Sequence, residues 1–199
     1  MSLPETSIVV ARPSVEDRVL DAARVCCDRW GIQKVTVDDI ATEAKISRAT
    51  LYRLFPGGRD VLFEKLRERD IRDFLIELDA RLADVTSYEG LVVGIICHST
   101  RQLREDAHLQ LMLASSPGEV ARELGVEGMP NIVRLAAALI GPRVEPYIGV
   151  DDAVELAEWL ARIVVSYFLA PSELVNLADP AQATAFVRRF VLPAFPRVR

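Results

Sequence analysis

Residues 36–55 read "TVDDIATEAKISRATLYRLF", and this stretch decides the fold. It holds two short helical patterns separated by a three-residue turn. Thr36 stands where an N-cap hydroxyl belongs, with Asp39 at the N3 position, and Ile40 and Ala44 fall one turn apart on one face. Lys45-Ile46-Ser47 makes the turn. Ser47 then caps a second helix in which Ile46, Leu51, Leu54 and Phe55 form an apolar seam. Two short helices joined by a tight turn, the second with a polar face, make a helix-turn-helix pattern.

The polar face of that second helix has the chemistry of a groove reader. Arg48 can donate to guanine O6 and N7, while Ala49 is small enough for close approach to a thymine methyl. Thr50 can bond to a base edge or a phosphate, and Tyr52 and Arg53 sit where they can reach phosphate. Thr36 and Ser47 offer hydroxyls and helix N-termini to the DNA backbone. Each residue alone has an ordinary explanation: a cap, a solvated charge, a packed aromatic. Their joint spacing is what points to DNA.

Working outward, Ser14 caps a first helix with the stripe Val15, Val19, Ala22 or Ala23, Cys26 and Trp30, and Gly31 ends it. Pro56-Gly57-Gly58 breaks the chain, and a long helix is predicted over about 59–84. Further helices are predicted over about 88–104, 107–114 and 131–140. Ser116 is expected as a cap, with Pro117 first in its helix, Glu119 at N3 and Gly125 at the end. "GPRVEPYIGV" (141–150) reads as a loop leading to a helix capped by Asp152, with Glu155 at N3, that runs to Ala170. Asp179-Pro180 opens a last helix, with Gln182 at N3, closing before Pro193. Nothing reads as a convincing strand. The fold class is all-α: a flexible tail over 1–13, a three-helix head over 14–58, and a larger helical bundle over 59–199 whose segment 59–84 is the connecting helix.

The bulk properties fit this reading. The chain has 199 residues, 50% hydrophobic and 27% charged, enough for one sizeable core or two small ones. No apolar run is long enough for a membrane span, and the N-terminus "MSLPETSIVVARP" lacks a secretory signal pattern. Cys26, Cys27 and Cys97 form no CxxC pair, so free core thiols and a cytoplasmic location are expected. The net charge is −5, yet residues 44–69 carry a net +4, and the local balance governs an electrostatic footprint.

The stretch "TVDDIATEAKISRATLYRLFPGGRDVLFEKL" resembles the N-terminal signature of TetR-type transcriptional regulators, with the spacing Thr36…Ile40-Ala41…Ala44…Ser47…Leu51-Tyr52…Phe55 intact over roughly 14–66. Two features depart from it. Lys45 stands where family members often have glycine, and "PGGRD" is one residue longer than usual, placing Arg59 at a position often held by a phosphate-contacting lysine. The resemblance implies a homodimer on palindromic operator DNA and a small apolar effector bound in the bundle. It implies a repressor, that being the family's commoner mode, with no cofactor and no metal.

In the bundle, apolar coverage around Leu160, Ile163, Val164, Tyr167 and Phe168 exceeds one core-facing stripe. Together with Phe186 and Phe190 it marks the expected dimer surface, although a fully buried central helix explains the same pattern. Candidate effector contacts are the sparse polar or polarizable side chains of apolar helices: Cys97, His98, Arg101, Gln102, Met112, Trp159 and Tyr167. Solvated helix ends and ordinary core packing are the alternatives. A catalytic reading finds little support. Cys97 and His98, as helix neighbours, point about 100° apart, and no zinc spacing, phosphate loop or GxSxG elbow is present. A helical ligand-binding or interaction module without DNA binding stays open as the rival.

Overall fold

The computed structural model describes residues 14–198, so the expected tail over 1–13 lies outside the described residues. The described chain is all-α and divides into two compact units, one ending at Arg69 and the other beginning at Asp70.

In the first unit, α1 (Val15–Trp30), α2 (Val37–Glu43) and α3 (Arg48–Leu54) enclose a core with the start of α4 (Arg59–Arg81). Ser14 and Thr36 each close a reciprocal capping box with the acid three residues on. The Asp17 amide donates to Ser14 Oγ at 3.0 Å and the Asp39 amide to Thr36 Oγ1 at 3.2 Å. These bonds satisfy amides that a helix start leaves orphaned. Val19, Ala23, Cys26, Ile40, Leu51, Phe55 and Leu62 fill the interior. The expected α1 stripe holds in its middle only. Val15 and Trp30 are exposed, while Leu20 and Cys27 join the core.

The turn between α2 and α3 is a Schellman arrangement. The Ile46 amide donates back to the Ala41 carbonyl at 3.0 Å, and Lys45 takes φ of +56°. Lysine therefore occupies the left-handed position that glycine fills without steric penalty, and the turn geometry survives the substitution.

The second unit contains the rest of α4, then α5 (Tyr88–Glu105), α6 (Ala107–Ser115), α7 (Pro117–Ala121), α8 (Met129–Leu139), α9 (Gly141–Ile148), α10 (Val150–Leu169) and α11 (Pro180–Phe186). α10 packs against α5, α8 and α9, and its Leu156, Ala157 and Leu160 lie in the core with Ile96, Val144 and Leu177. Four expectations need correction. Residues 141–148 are helix rather than loop: Pro142 falls in the first turn, where no amide partner is needed, and burial of Val144 and Ile148 holds the turn despite Pro146. That helix runs on so closely that Gly149, at φ of +90°, starts α10 and Asp152 lies inside it. Ser116 precedes α7 but makes no side-chain cap bond, and the segment continues as a π-helical turn over Arg122–Val126. α4 ends at Arg81, where Arg143 bonds to the Leu82 carbonyl and pairs with Asp79 at 3.4 Å.

Two outcomes test the head. Lys45→Gly is expected to stabilise it by about 0.5–1 kcal/mol, the relief of left-handed strain exceeding the extra chain entropy; equal or lower urea stability would count against a strained Lys45. The Asp39 carboxyl is held below its ordinary 3.8, chiefly by the Thr36 hydroxyl bond and then by the Thr36 amide. A depressed folded pKa gives stability that is complete above 3.8 and lost as pH falls through the folded value. Thr36→Val is expected to shrink that acid-side loss in a Tm-against-pH series, whereas an unchanged slope would place the loss elsewhere.

Candidate nucleic-acid interface

The seat of α3 is complete. Leu51 is 0% and Phe55 1% exposed, with Ile46 and Leu54 half-buried beside them, while Ser47, Arg48, Ala49, Tyr52 and Arg53 face solvent. Ser47 Oγ accepts from the Thr50 amide at 3.1 Å and lies 3.0 Å from Thr50 Oγ1, so the cap and the half-buried Thr50 form one unit. Arg53 carries no ion pair among the described residues. The expected groove-facing residues of α3 are thus presented together on one exposed face, except that Thr50 is partly covered.

Two expected contacts are placed differently. The Thr36 hydroxyl donates to Asp39 Oδ2 at 2.6 Å, so its proton is already engaged in the cap. Arg59 turns inward: Nε donates to the Val35 carbonyl at 3.1 Å, Nη2 to the Ile32 carbonyl at 2.6 Å, and the guanidinium lies 4.7 Å from the Phe63 ring centroid. The reason is local. The α1–α2 connection leaves two carbonyls without helical partners, and Arg59, half-buried, satisfies both. Its place in the head is that of a clamp on this connection.

The longer "PGGRD" turn serves Tyr52. Gly57 and Gly58 have φ of +117° and +68°. A Cβ on Gly58 would sit 2.9 Å from Tyr52 Cε1, so only glycine lets the ring lie against this backbone. Tyr52, 51% exposed, is held at the end of α3 by that contact.

One charged partner escaped the sequence reading. Arg48 forms an ion pair with Asp38 in the first turn of α2, the side chains being 68% and 48% exposed. The residues are ten apart across the turn, a separation no helical periodicity reveals.

In the second unit, the candidate effector contacts divide. Cys97 Sγ donates to the Ala178 carbonyl at 3.3 Å and Arg101 Nη2 to the same oxygen at 3.0 Å. Burial pushes the Cys97 thiol up, against the pull of Arg101. His98 is held below its ordinary value, first by burial and then by Arg101 and Arg81. Gln102 Nε2 donates to Glu77 at 2.8 Å, leaving a buried Oε1 without a partner among the described residues. Met112 is half-buried on α6. Trp159 is exposed with its ring edge-on to Phe195, and Tyr167 is edge-on to Phe186. Thr100 was missed: it is 0% exposed, and its Oγ1 has no partner among the described residues. A threonine in an apolar helix reads as filler unless its hydroxyl is seen to lack the usual backbone acceptor one turn back.

The expected dimer surface also divides. Leu160, Val164 and Phe168 are buried within the single chain, so their apolar area is already removed from water. Ile163, Tyr167 and Phe186 are half-buried and Phe190 is exposed, with Phe186 and Phe190 rings 5.2 Å apart.

Residues 19–66 match the family described as bacterial regulatory proteins, tetR family. Two uncharacterized HTH-type transcriptional regulators of Mycobacterium tuberculosis (strain ATCC 25618 / H37Rv) are similar along most of their length. One is 27% identical over 181 residues, 89% of this chain and 83% of the relative; the other is 29% identical over 175 residues, 85% and 88%. The HTH-type transcriptional regulator AlkX of the same strain is 25% identical over 169 residues, 82% of this chain and 79% of that one. Among solved structures, the TetR family repressor AlkX from Dietzia sp. strain DQ12-45-1b, implicated in biodegradation of n-alkanes, shares the fold. Its TM-score is 0.66 at 23% identity, covering 92% of this chain and 96% of that chain. The head over residues 19–66 thus matches the tetR family of bacterial regulatory proteins, and the relatives similar along most of the chain are HTH-type transcriptional regulators.

Proposed function

We propose that this protein is a cytoplasmic one-component repressor that binds palindromic operator DNA as a homodimer and is released by a small apolar effector. The observation that carries the reading is the exposed face Ser47, Arg48, Ala49, Tyr52 and Arg53 of a helix seated by Leu51 and Phe55. Arg48 and Ala49 read base edges, and Ser47, Thr50, Tyr52 and Arg53 bond to the backbone. One seven-residue helix cannot fix an operator alone; a symmetric pair placed about 34–36 Å apart can. The half-exposed aromatic run Tyr167, Phe186 and Phe190 supports a self-association face on α10, α11 and the π-helical turn Val187–Val191 that follows.

The effector reading rests on the bundle interior. Ser99 and Thr100 are the buried polar side chains among the described residues, in an interior otherwise apolar. A sparse polar anchor in an apolar lining suits an organic molecule with one acceptor or donor. Thr100 is the anchor, with Cys97 and Arg101 on the same helix supporting the Ala178 carbonyl.

Selection from a randomised duplex pool, followed by salt titration of the selected duplex beside an unrelated one, tests the regulator. Preferential binding with a steep salt slope is expected. Equal weak binding of every duplex would leave a helical ligand-binding or interaction module instead. Arg48→Ala is expected to cost about 1–3 kcal/mol on the selected duplex and to relax one base pair per half-site; a uniform loss across sequences would make Arg48 a phosphate contact. Thr100→Val, which removes an unpartnered buried hydroxyl at near-constant shape, is expected to leave Tm unchanged or raise stability by up to about 1 kcal/mol. A clear fall in Tm would show that the hydroxyl serves the fold and not a ligand.

A further inference from the structure

The Asp38–Arg48 pair sets a carboxylate on the surface that must meet a polyanion, beside the first residue of the recognition helix. Folding gives little reason for it. An ion pair between side chains 68% and 48% exposed contributes on the order of 0–1 kcal/mol. Capping gives none: Thr36 and Asp39 already form the capping box of α2. Of the two adjacent acids, Asp39 is committed to the cap and Asp38 is turned across to α3.

We propose that Asp38 is a specificity-determining residue, a positioning partner that withholds Arg48 from phosphate and releases or orients it only toward the correct base edge. The inference rests on the DNA-binding reading above. A guanidinium is a planar fork whose bidentate match is guanine O6 and N7, but any phosphate also attracts it. Asp38 competes with phosphate for the Arg48 donors and repels the phosphate chain itself, so sequence-independent contact is weakened. On the correct site the carboxylate fixes the plane of the fork, leaving the other donors for the base, and can itself accept from a neighbouring cytosine N4. Specificity is a difference of affinities, and a residue that weakens the wrong complex raises it as surely as one that strengthens the right one.

The test compares wild type, Asp38→Asn, Arg48→Ala and the double variant on the duplex that wild type selects from a randomised pool and on a scrambled duplex of equal length. Matching thermal melts are required, because Asp38 also sits favourably near the N-terminus of α2. Asp38→Asn is expected to lower the ratio of selected to scrambled affinity by roughly three- to tenfold, mainly by tightening the scrambled complex, and to steepen its salt dependence by about one phosphate contact. In the Arg48→Ala background the same change is expected to leave the ratio unmoved. An unchanged or higher ratio in Asp38→Asn overturns the proposal, as does an equal fall with and without Arg48. Failure of wild type to select any duplex would remove the DNA-binding reading itself, and the role of Asp38 with it.

Discussion

A seven-residue helix has no stability of its own in water. Isolated helices shorter than roughly 12–15 residues are marginal even with the best formers, and α3 has seven residues, among them threonine and tyrosine. It exists because Leu51 and Phe55 are removed from water against α1, α2 and the start of α4, and because Ser47 satisfies one of its orphan amides, that of Thr50. The apolar seam and the exposed polar face are therefore two sides of one constraint. Burying every third or fourth residue forces the residues between them outward, and Arg48, Ala49, Tyr52 and Arg53 are those residues.

The neighbouring turns are built to hold that helix in place. Lys45 accepts a left-handed backbone so that Ile46 can return its amide to Ala41 and its side chain to the head core. Gly58 gives up a side chain so that the Tyr52 ring can lie on the main chain. Arg59 ties the α1–α2 connection to the first turn of α4 through two carbonyls. Each device fixes one edge of α3 or of the helices under it.

How much of this the sequence displayed follows from the range of the interactions. Caps and helical stripes act within four residues, so Ser14, Thr36, Ser47 and Asp179 were legible, as were the Ile40, Leu51 and Phe55 faces. Interactions that cross between elements were not. Arg59 looked like a free cation until Ile32 and Val35 were brought to it across 24–27 positions. Asp38 has no role that local spacing reveals, because its partner Arg48 lies ten residues on across the turn. The helix over Gly141–Ile148 was hidden by its prolines, which mark a loop only where the amides they lack are needed. In α10, the stretch "WLARIVVSYFLA" (159–170) is apolar nearly all round and concealed which side faces the core, and burial of Leu160, Val164 and Phe168 inside one chain answers it.

Several cations of the head are held in ion pairs. Residues 44–69 carry a surplus of cations, yet Arg48 is paired with Asp38, Lys65 with Glu68 at 3.3 Å and Arg69 with Asp21 at 2.8 Å, while Arg29 of α1 meets Glu43 at 2.9 Å. Pairing leaves the net local charge unchanged but shortens the reach of the field, since a dipole decays faster than a monopole and salt screens what remains within about 8–10 Å. A chain of net charge −5 built this way gains little from the phosphate backbone at a distance. Under the proposed function, affinity for DNA then comes from close contact along the exposed face of α3, from the Ser47 cap to Tyr52 and Arg53, and close contact is the regime in which sequence can be read.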